Sequence, residues 1–368
     1  MRPLTLFRAR LAITLLACFP AALAQNIPTN PTGEWKTTTP ESVGYSSARL
    51  DALRSLLKTE PTTSMMVVVH GQVIFQYGDV TLNSKIASVR KSVLSMLYGP
   101  YVASGKINID KTVKELGLDD CEPFLPIEEK AALLHLLMAR SGIYLPSGNK
   151  GLDKYEPQRG IVPPGSTWAY NNWDFNAAGV AFEKLTGKNI YDALESDLAQ
   201  PLGMQDFDRK LQHKIPAPPS LHPEFGMWLS TRDMARLGLL MLNGGKWSGK
   251  QLIPSDWVGW STSVITHWQD LNPIWFHNPA QPDRWGYGLL WWTWDAPVVS
   301  DSIFTGPYQG AFSAMGSGGQ FITVFPYLDM VVVHKVDIDK DPKANIDALA
   351  YDAILNMLVA SRCDSACK

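Results

Sequence analysis

Four cysteines in 368 residues are too few to staple a chain of this length, so a buried core must hold it together. Charge is scarce as well. Only 18% of residues are charged and the formal net charge is −2, which leaves no basic face for nucleic acid. The 45% hydrophobic content excludes intrinsic disorder. The sequence has no Gly-x-Ser-x-Gly elbow, no His-Glu-x-x-His zinc motif, no phosphate-cradling loop and no dinucleotide fingerprint. Its seven histidines stand singly, and Cys363 and Cys367 have no histidine pair nearby, so neither metal nor cofactor is expected. Internal repeats and heptad runs are absent too.

One apolar run stands out, from Leu11 to Ala21, behind Arg2, Arg8 and Arg10 and ahead of Ala22, Leu23 and Ala24. It is too short to span a bilayer comfortably and ends on small residues, so it reads as an export signal cleaved after Ala24. Cleavage leaves 344 residues and removes three arginines, moving the formal charge from −2 to −5. Leu15, Leu16, Ala17 and Cys18 resemble a lipoprotein cleavage box, an alternative exit that would tether the protein. The mature chain is expected in the periplasm or outside the cell, with no transmembrane segment. There Cys121, Cys363 and Cys367 can form at most one intramolecular bridge, and the sequence leaves its pairing open, as it does the oligomeric state.

Along the mature chain, Leu50, Leu53, Leu56 and Leu57 give helical spacing over 46–58. Residues 64–70 and 72–78 are β-rich runs joined at His70 and Gly71, which predicts a hairpin whose first strand sits mid-sheet. Helices are expected over 88–104, 126–139, 175–185, 190–198, 231–242 and about 344–360. A second hairpin is expected from 319–326 and 330–336. The sum is an α+β fold: an antiparallel sheet flanked by helices, completed by both termini, with an all-helical region inserted. Residues 25–87 plus 225–368 form the expected sheet region and 88–224 the mostly helical region, with the active site at their junction.

Three Ser-x-x-Lys tetrads occur: Ser55 to Lys58, Ser88 to Lys91 and Ser147 to Lys150. Such a pair works as a nucleophile and proton acceptor when it opens a buried helix. Residues three apart share a face, the helix N-terminus favours a serine anion, and burial favours a neutral amine. Ser88 meets these conditions because it opens the apolar helix of Val89, Val93 and Leu97; Ser55 lies within an amphipathic helix and Ser147 in a loop. The second element is Tyr170-Asn171-Asn172 behind Pro164 and Gly165: a phenol able to relay protons and an amide able to hold the lysine. The third is Gly316, Ser317, Gly318, Gly319 and Gln320, small residues at a strand edge that let a substrate backbone approach.

As an ordered set these elements resemble the serine β-lactamase and penicillin-binding-protein superfamily, specifically its class C-like esterase and 6-aminohexanoate-dimer hydrolase branch. The likeness covers roughly residues 40–360, including Ala87 to Ser92, Leu136 to Gly142, Pro163 to Asn172, Ser230 to Arg236, Asn243 to Trp247, Trp285 to Gly288 and Gly318 to Gln320. The resemblance implies a β-lactamase/transpeptidase-like fold with Ser88 as nucleophile, Lys91 as its partner and Tyr170 as general base. Asn172 would orient them, Ser317, Gly318 and Gly319 would support the site, and the N–H groups of Ser88 and Gln320 would form the oxyanion hole. The expected protein is an exported serine hydrolase acting on a small-molecule ester or amide through an acyl-enzyme. The alternatives are a β-lactamase or D-amino-acid (DD-) peptidase, and a slowly deacylating penicillin-binding or sensor protein.

One departure bears on substrate. Relatives usually place lysine or histidine at the start of the third motif, where this chain has Ser317. A hydroxyl holds a carboxylate less strongly than a cation does, which tilts the expectation toward neutral esters or amides unless another arginine, such as Arg284, supplies the charge. Eight of thirteen tryptophans fall between residues 257 and 294 (Trp257, Trp260, Trp268, Trp275, Trp285, Trp291, Trp292 and Trp294). They can line the cleft or pack an irregular segment, and both readings stay open.

Overall fold

A computed structural model describes residues 33–148, 155–272, 283–297 and 306–363. The expected export signal with Cys18, the Lys150 end of the third tetrad, Trp275 and Cys367 lie outside the described residues. Among the described residues no helix is long and apolar enough to cross a membrane.

Strands β1 (Ser64–Val69) and β2 (Gln72–Gly78) open the fold, followed by the short β3 (Ser84–Lys85), β4 (His213–Ile215), β5 (Glu224–Gly226), β6 (Trp228–Leu229), β7 (Lys246–Trp247) and β8 (Lys250–Gln251). The chain then returns as β9 (Asp283–Tyr287), β10 (Trp292–Pro297), β11 (Phe312–Gly316), β12 (Gln320–Phe325) and β13 (Met330–Lys335). A seven-stranded antiparallel sheet has the order β2-β1-β13-β12-β11-β10-β9. Ser64 lies opposite Lys335 and Val69 opposite Met330, so the first hairpin and the last strand complete one sheet. Both strands are rich in valine and buried throughout, as befits β-branched side chains covered on two faces.

The helices are α1 (Ser47–Leu57), α2 (Val89–Ala103), α3 (Leu133–Leu137), α4 (Asn172–Thr186), α5 (Ile190–Ala193), α6 (Gln200–Leu202), α7 (Thr231–Leu242), α8 (Ser255–Ser261) and α9 (Ala348–Ala360). Helix α7 crosses β13, β12 and β1, and the lack of a side chain at Gly238 lets it approach Ile322 and Val331. On the other face Tyr351 of α9 stacks on Phe321, with ring centroids 3.8 Å apart. Side chains alternate along a strand, so neighbours Phe321 and Ile322 point to opposite helical layers. Helix α2 is buried from Val89 to Gly99 and packs on β11 and β12, with its N-terminus beside Gly316 at the end of β11.

Local chemistry explains where element boundaries differ from the periodicity. The apolar stretch 126–139 splits into a 3-10 turn over Glu128–Lys130, an extended Ala131–Ala132 link and the short α3. Glu128 is drawn aside to accept from Leu125 N at 2.8 Å and pair with Arg159 at 2.8 Å. The helix after Ile190 widens to a π-turn over Leu194–Ala199 just ahead of Pro201, which has no N–H to continue the regular ladder. Helix α9 starts at Ala348 because Asp347 caps it, accepting from Ala350 N at 2.9 Å. The tryptophan segment contains strands β9 and β10, and Trp257, Trp285, Trp291, Trp292 and Trp294 are buried while Trp260 is 39% exposed. Packing is therefore the role of most of them.

Candidate active site

Ser88 stands at the N-cap position of α2 with its side chain making no capping bond, and Ala87 before it takes a left-handed φ of 46°, a sharp turn that delivers the chain from β3 into the helix. One turn on, Lys91 is 2% exposed. Its Nζ lies 3.0 Å from Ser88 Oγ, 2.7 Å from Tyr170 OH and 2.7 Å from Asn172 Oδ1. It also sits 4.2 Å above the Tyr170 ring and 4.4 Å above that of Phe175. Burial first, and the neighbouring Arg90 second, push the Lys91 amine well below its ordinary value, with Glu224 opposing. Burial raises the Tyr170 phenol to about 12, partly offset by its hydrogen bond to Ser88 and by Arg90. The site therefore favours a neutral amine beside a neutral phenol.

Tyr170 reaches this position from an extended segment tied at both ends. Gly165 N donates to Arg140 O at 2.7 Å and Ala169 N to Ala139 O at 2.9 Å. Asn171 then caps α4, accepting from Trp173 N at 2.8 Å, which places Asn172 in the first helical turn. The Tyr170 ring stacks on Trp292 at 5.7 Å and abuts Phe175 at 4.8 Å. Two segments of the chain thus meet around one amine, Tyr170 lying 79 positions after Lys91.

The third element stands beside them. Gly316 pairs with Gln320 across a tight turn in which Gly318 and Gly319 have φ of 81° and 101°. A side chain at Gly316 would lie 2.6 Å from Ile86 O and 3.0 Å from Ser88 N, so the strand backbone itself abuts the Ser88 amide. Gln320 is one step removed, its fully buried side chain donating from Nε2 to Val336 O at 2.7 Å. Ser317 is exposed and borders a cleft of about 430 Å³ with Lys85, Asp339 and Lys343. The Arg284 side chain lies outside the described residues.

The other tetrads are not built this way. Ser55 is spent on its own helix, donating to Asp51 O at 3.0 Å. Ser147 is buried, and its Lys150 lies outside the described residues. Cys121 is free and exposed. Among the described residues no cluster of histidine, cysteine, aspartate or glutamate could hold a metal ion. Sequence reasoning missed Arg90 and Glu224, a buried pair next to Lys91; the only signal was a second cation beside Lys91 at the start of the helix.

The Beta-lactamase family model matches residues 51–355. An uncharacterised protein of Alkalihalophilus pseudofirmus is 25% identical over 263 residues, covering 67% of this chain and 71% of that one. A Bacillus anthracis protein provisionally assigned as a 6-aminohexanoate-dimer hydrolase superimposes with a TM-score of 0.61 at 20% identity, over 91% of this chain and 89% of the other. A penicillin-binding-protein homologue from Caulobacter crescentus gives a TM-score of 0.60 at 16% identity, over 86% and 99%. Simvastatin synthase from Aspergillus terreus gives 0.60 at 14% identity, over 85% and 93%.

Proposed function

The chain belongs to the Beta-lactamase family, whose members are serine hydrolases, and from that premise we propose that it is an exported hydrolase of small esters or amides working through an acyl-enzyme. The observation that carries this reading is the buried Lys91 amine within 3.0 Å of both Ser88 Oγ and Tyr170 OH. A neutral amine keeps two N–H donors and one lone pair. Asn172 Oδ1 can only accept, so it takes one N–H and turns the rest of the amine toward the two hydroxyls. A proton can then pass from Ser88 Oγ to the Lys91–Tyr170 pair as the oxygen attacks the carbonyl carbon. The Ser88 N–H, with an N–H of the Gly316–Gln320 hairpin, holds the oxyanion. Tyr170 returns the proton to the leaving group and then takes one from the water that cleaves the acyl-enzyme.

Ser317 in place of a cation supports neutral esters or amides as substrates. A second reading, turnover of β-lactams or D-amino-acid peptides, is favoured by Lys85 and Lys343, which border the cleft beside Ser317. Export rests on the N-terminal pattern alone. The test is a panel of p-nitrophenyl esters, amino-acid amides, linear amide oligomers and nitrocefin, given to wild type and Ser88→Ala. Ser88→Ala should abolish every activity that wild type shows, and turnover retained by it would sink the assignment. Wild-type activity should rise with pH until Lys91 is neutral; a flat profile from about pH 5 to 9 counts against that role.

A further inference from the structure

Ser88 is flanked by a second set of charges outside the proton relay. Lys85, three residues before it, meets Glu224 of β5 with Nζ 3.1 Å from Oε1. Arg90, two residues after it, meets the same oxygen with Nε 3.7 Å away. The guanidinium is 2% exposed, lies 4.2 Å over the Phe225 ring, and donates from Nη2 to Asn176 Oδ1 at 3.2 Å. Its Nη1 finds no acceptor among the described residues. Two basic side chains thus share one carboxylate beside the buried Lys91. A guanidinium does not give up its proton in a protein, whereas a desolvated amine does so readily.

We propose that Arg90 and Glu224 are positioning residues that act on the proton affinity of Lys91 in opposite directions. Arg90 repels a proton on the amine, and Glu224 limits that repulsion while anchoring the guanidinium. Both influences act in the directions expected for their charges, behind the larger effect of burial. Glu224 stays ionised: burial alone would raise its carboxyl, but Arg90 and Lys85 outweigh that and hold it below the usual range. Among the described residues the groups in contact with the Lys91 amine are uncharged, namely Ser88, Tyr170, Asn172 and the Phe175 ring. Tyr287, behind Tyr170, is kept as a neutral phenol by burial, and Tyr191, which faces Arg90, is likewise raised by burial.

The inference rests on Lys91 being the proton acceptor of the hydrolase proposed above. The experiment follows kcat/KM for p-nitrophenyl butyrate against pH in wild type, Arg90→Gln, Arg90→Lys and Glu224→Gln, because its acid limb reports the free enzyme's base. Losing the Arg90 charge should move the acid-limb midpoint up by about half a pH unit or more, and losing Glu224 should move it down. Arg90→Lys, which keeps the charge, should stay near wild type. Unmoved midpoints with activity reduced equally at all pH, or shifts in the same direction, overturn the inference and leave a packing role. If Arg90→Gln does not fold, the downward shift in Glu224→Gln decides alone. Failure of the underlying reading looks different: Ser88→Ala would then still turn the ester over.

Discussion

At the scale of single residues the site turns on how a lysine surrounded by aromatic rings exchanges protons with two hydroxyls. Lys91 and Tyr170 touch, yet their removal should be kinetically distinct. Lys91→Met leaves Ser88 without a proton acceptor, and kcat/KM for p-nitrophenyl butyrate should fall at least about 1,000-fold at every pH. Tyr170→Phe keeps the ring stacked on Trp292 and removes only the hydroxyl. Nitrophenolate departs without needing a proton, so acylation should survive better than deacylation. A burst of nitrophenol followed by turnover slowed about 100-fold or more is expected in stopped-flow traces. Equal loss in both phases would remove Tyr170 from the water-activating role. The tetrad holding Ser88 and Lys91 was legible in the sequence because Val89, Val93 and Leu97 mark a buried helix start. Glu224 was not, since nothing local says that a carboxylate 134 positions after Arg90 folds back beside it.

Among the elements, the β11–β12 hairpin separates what a glycine does for activity from what it does for stability. At Gly316 an added methyl meets Ile86 O at 2.6 Å and Ser88 N at 3.0 Å, both backbone atoms that cannot swing aside. Gly316→Ala should therefore push the strand off the nucleophile's amide and lower kcat at least about tenfold, toward the cost of a lost oxyanion donor. At Gly319 the conflict is with Ile346 and Val336 at 2.9 Å, at a φ of 101°, away from Ser88. Gly319→Ala should instead lower stability by about 1–3 kcal/mol with a smaller effect on kcat. Melting temperature and kcat measured on both variants check the contrast, and a larger kcat loss in Gly319→Ala would reverse it. Both terminal hairpins could be read from the sequence, because valine runs bounded by turn residues have few other outcomes. Strands β9 and β10 could not be. The alternation of Trp292, Thr293 and Trp294 is too short to announce a strand, and the two strands form chiefly by pairing with each other, joined to β11 through Trp292 and Thr293.

Across the whole molecule, stability and activity should respond to acid through different groups. His334 lies in the middle of the sheet, with Nδ1 2.8 Å from Gly319 O and Nε2 2.9 Å from Thr62 Oγ1. A carbonyl only accepts, so Nδ1 carries the proton and Nε2 accepts from the threonine hydroxyl; the ring is neutral and fully committed. Burial lowers its pKa to about 4. Its neighbour Lys335, buried against Ser84 O and Leu229 O, is lowered to about 7 for the same reason. Both folded values lie below the unfolded ones, so each group contributes stability at high pH that is lost as pH falls. For His334 the loss runs from the ordinary 6.5 down to about 4 and amounts to roughly 3 kcal/mol. For Lys335 it runs from 10.5 down to about 7 and is finished before the histidine begins. Asp174 and Asp233, both raised by burial, work against this trend in acid, so the wild-type curve alone does not isolate it. His334→Gln does, because an amide can make the same two hydrogen bonds and cannot titrate. The stability gap between wild type and His334→Gln, taken from urea unfolding at about pH 7 and pH 4.5, should shift by roughly 2–3 kcal/mol in the variant's favour at the lower pH. A gap that stays constant would mean that His334 does not titrate across this window. If it does, the sheet loses support as the buried ring gains a second proton, which leaves the Thr62 hydroxyl with a changed partner.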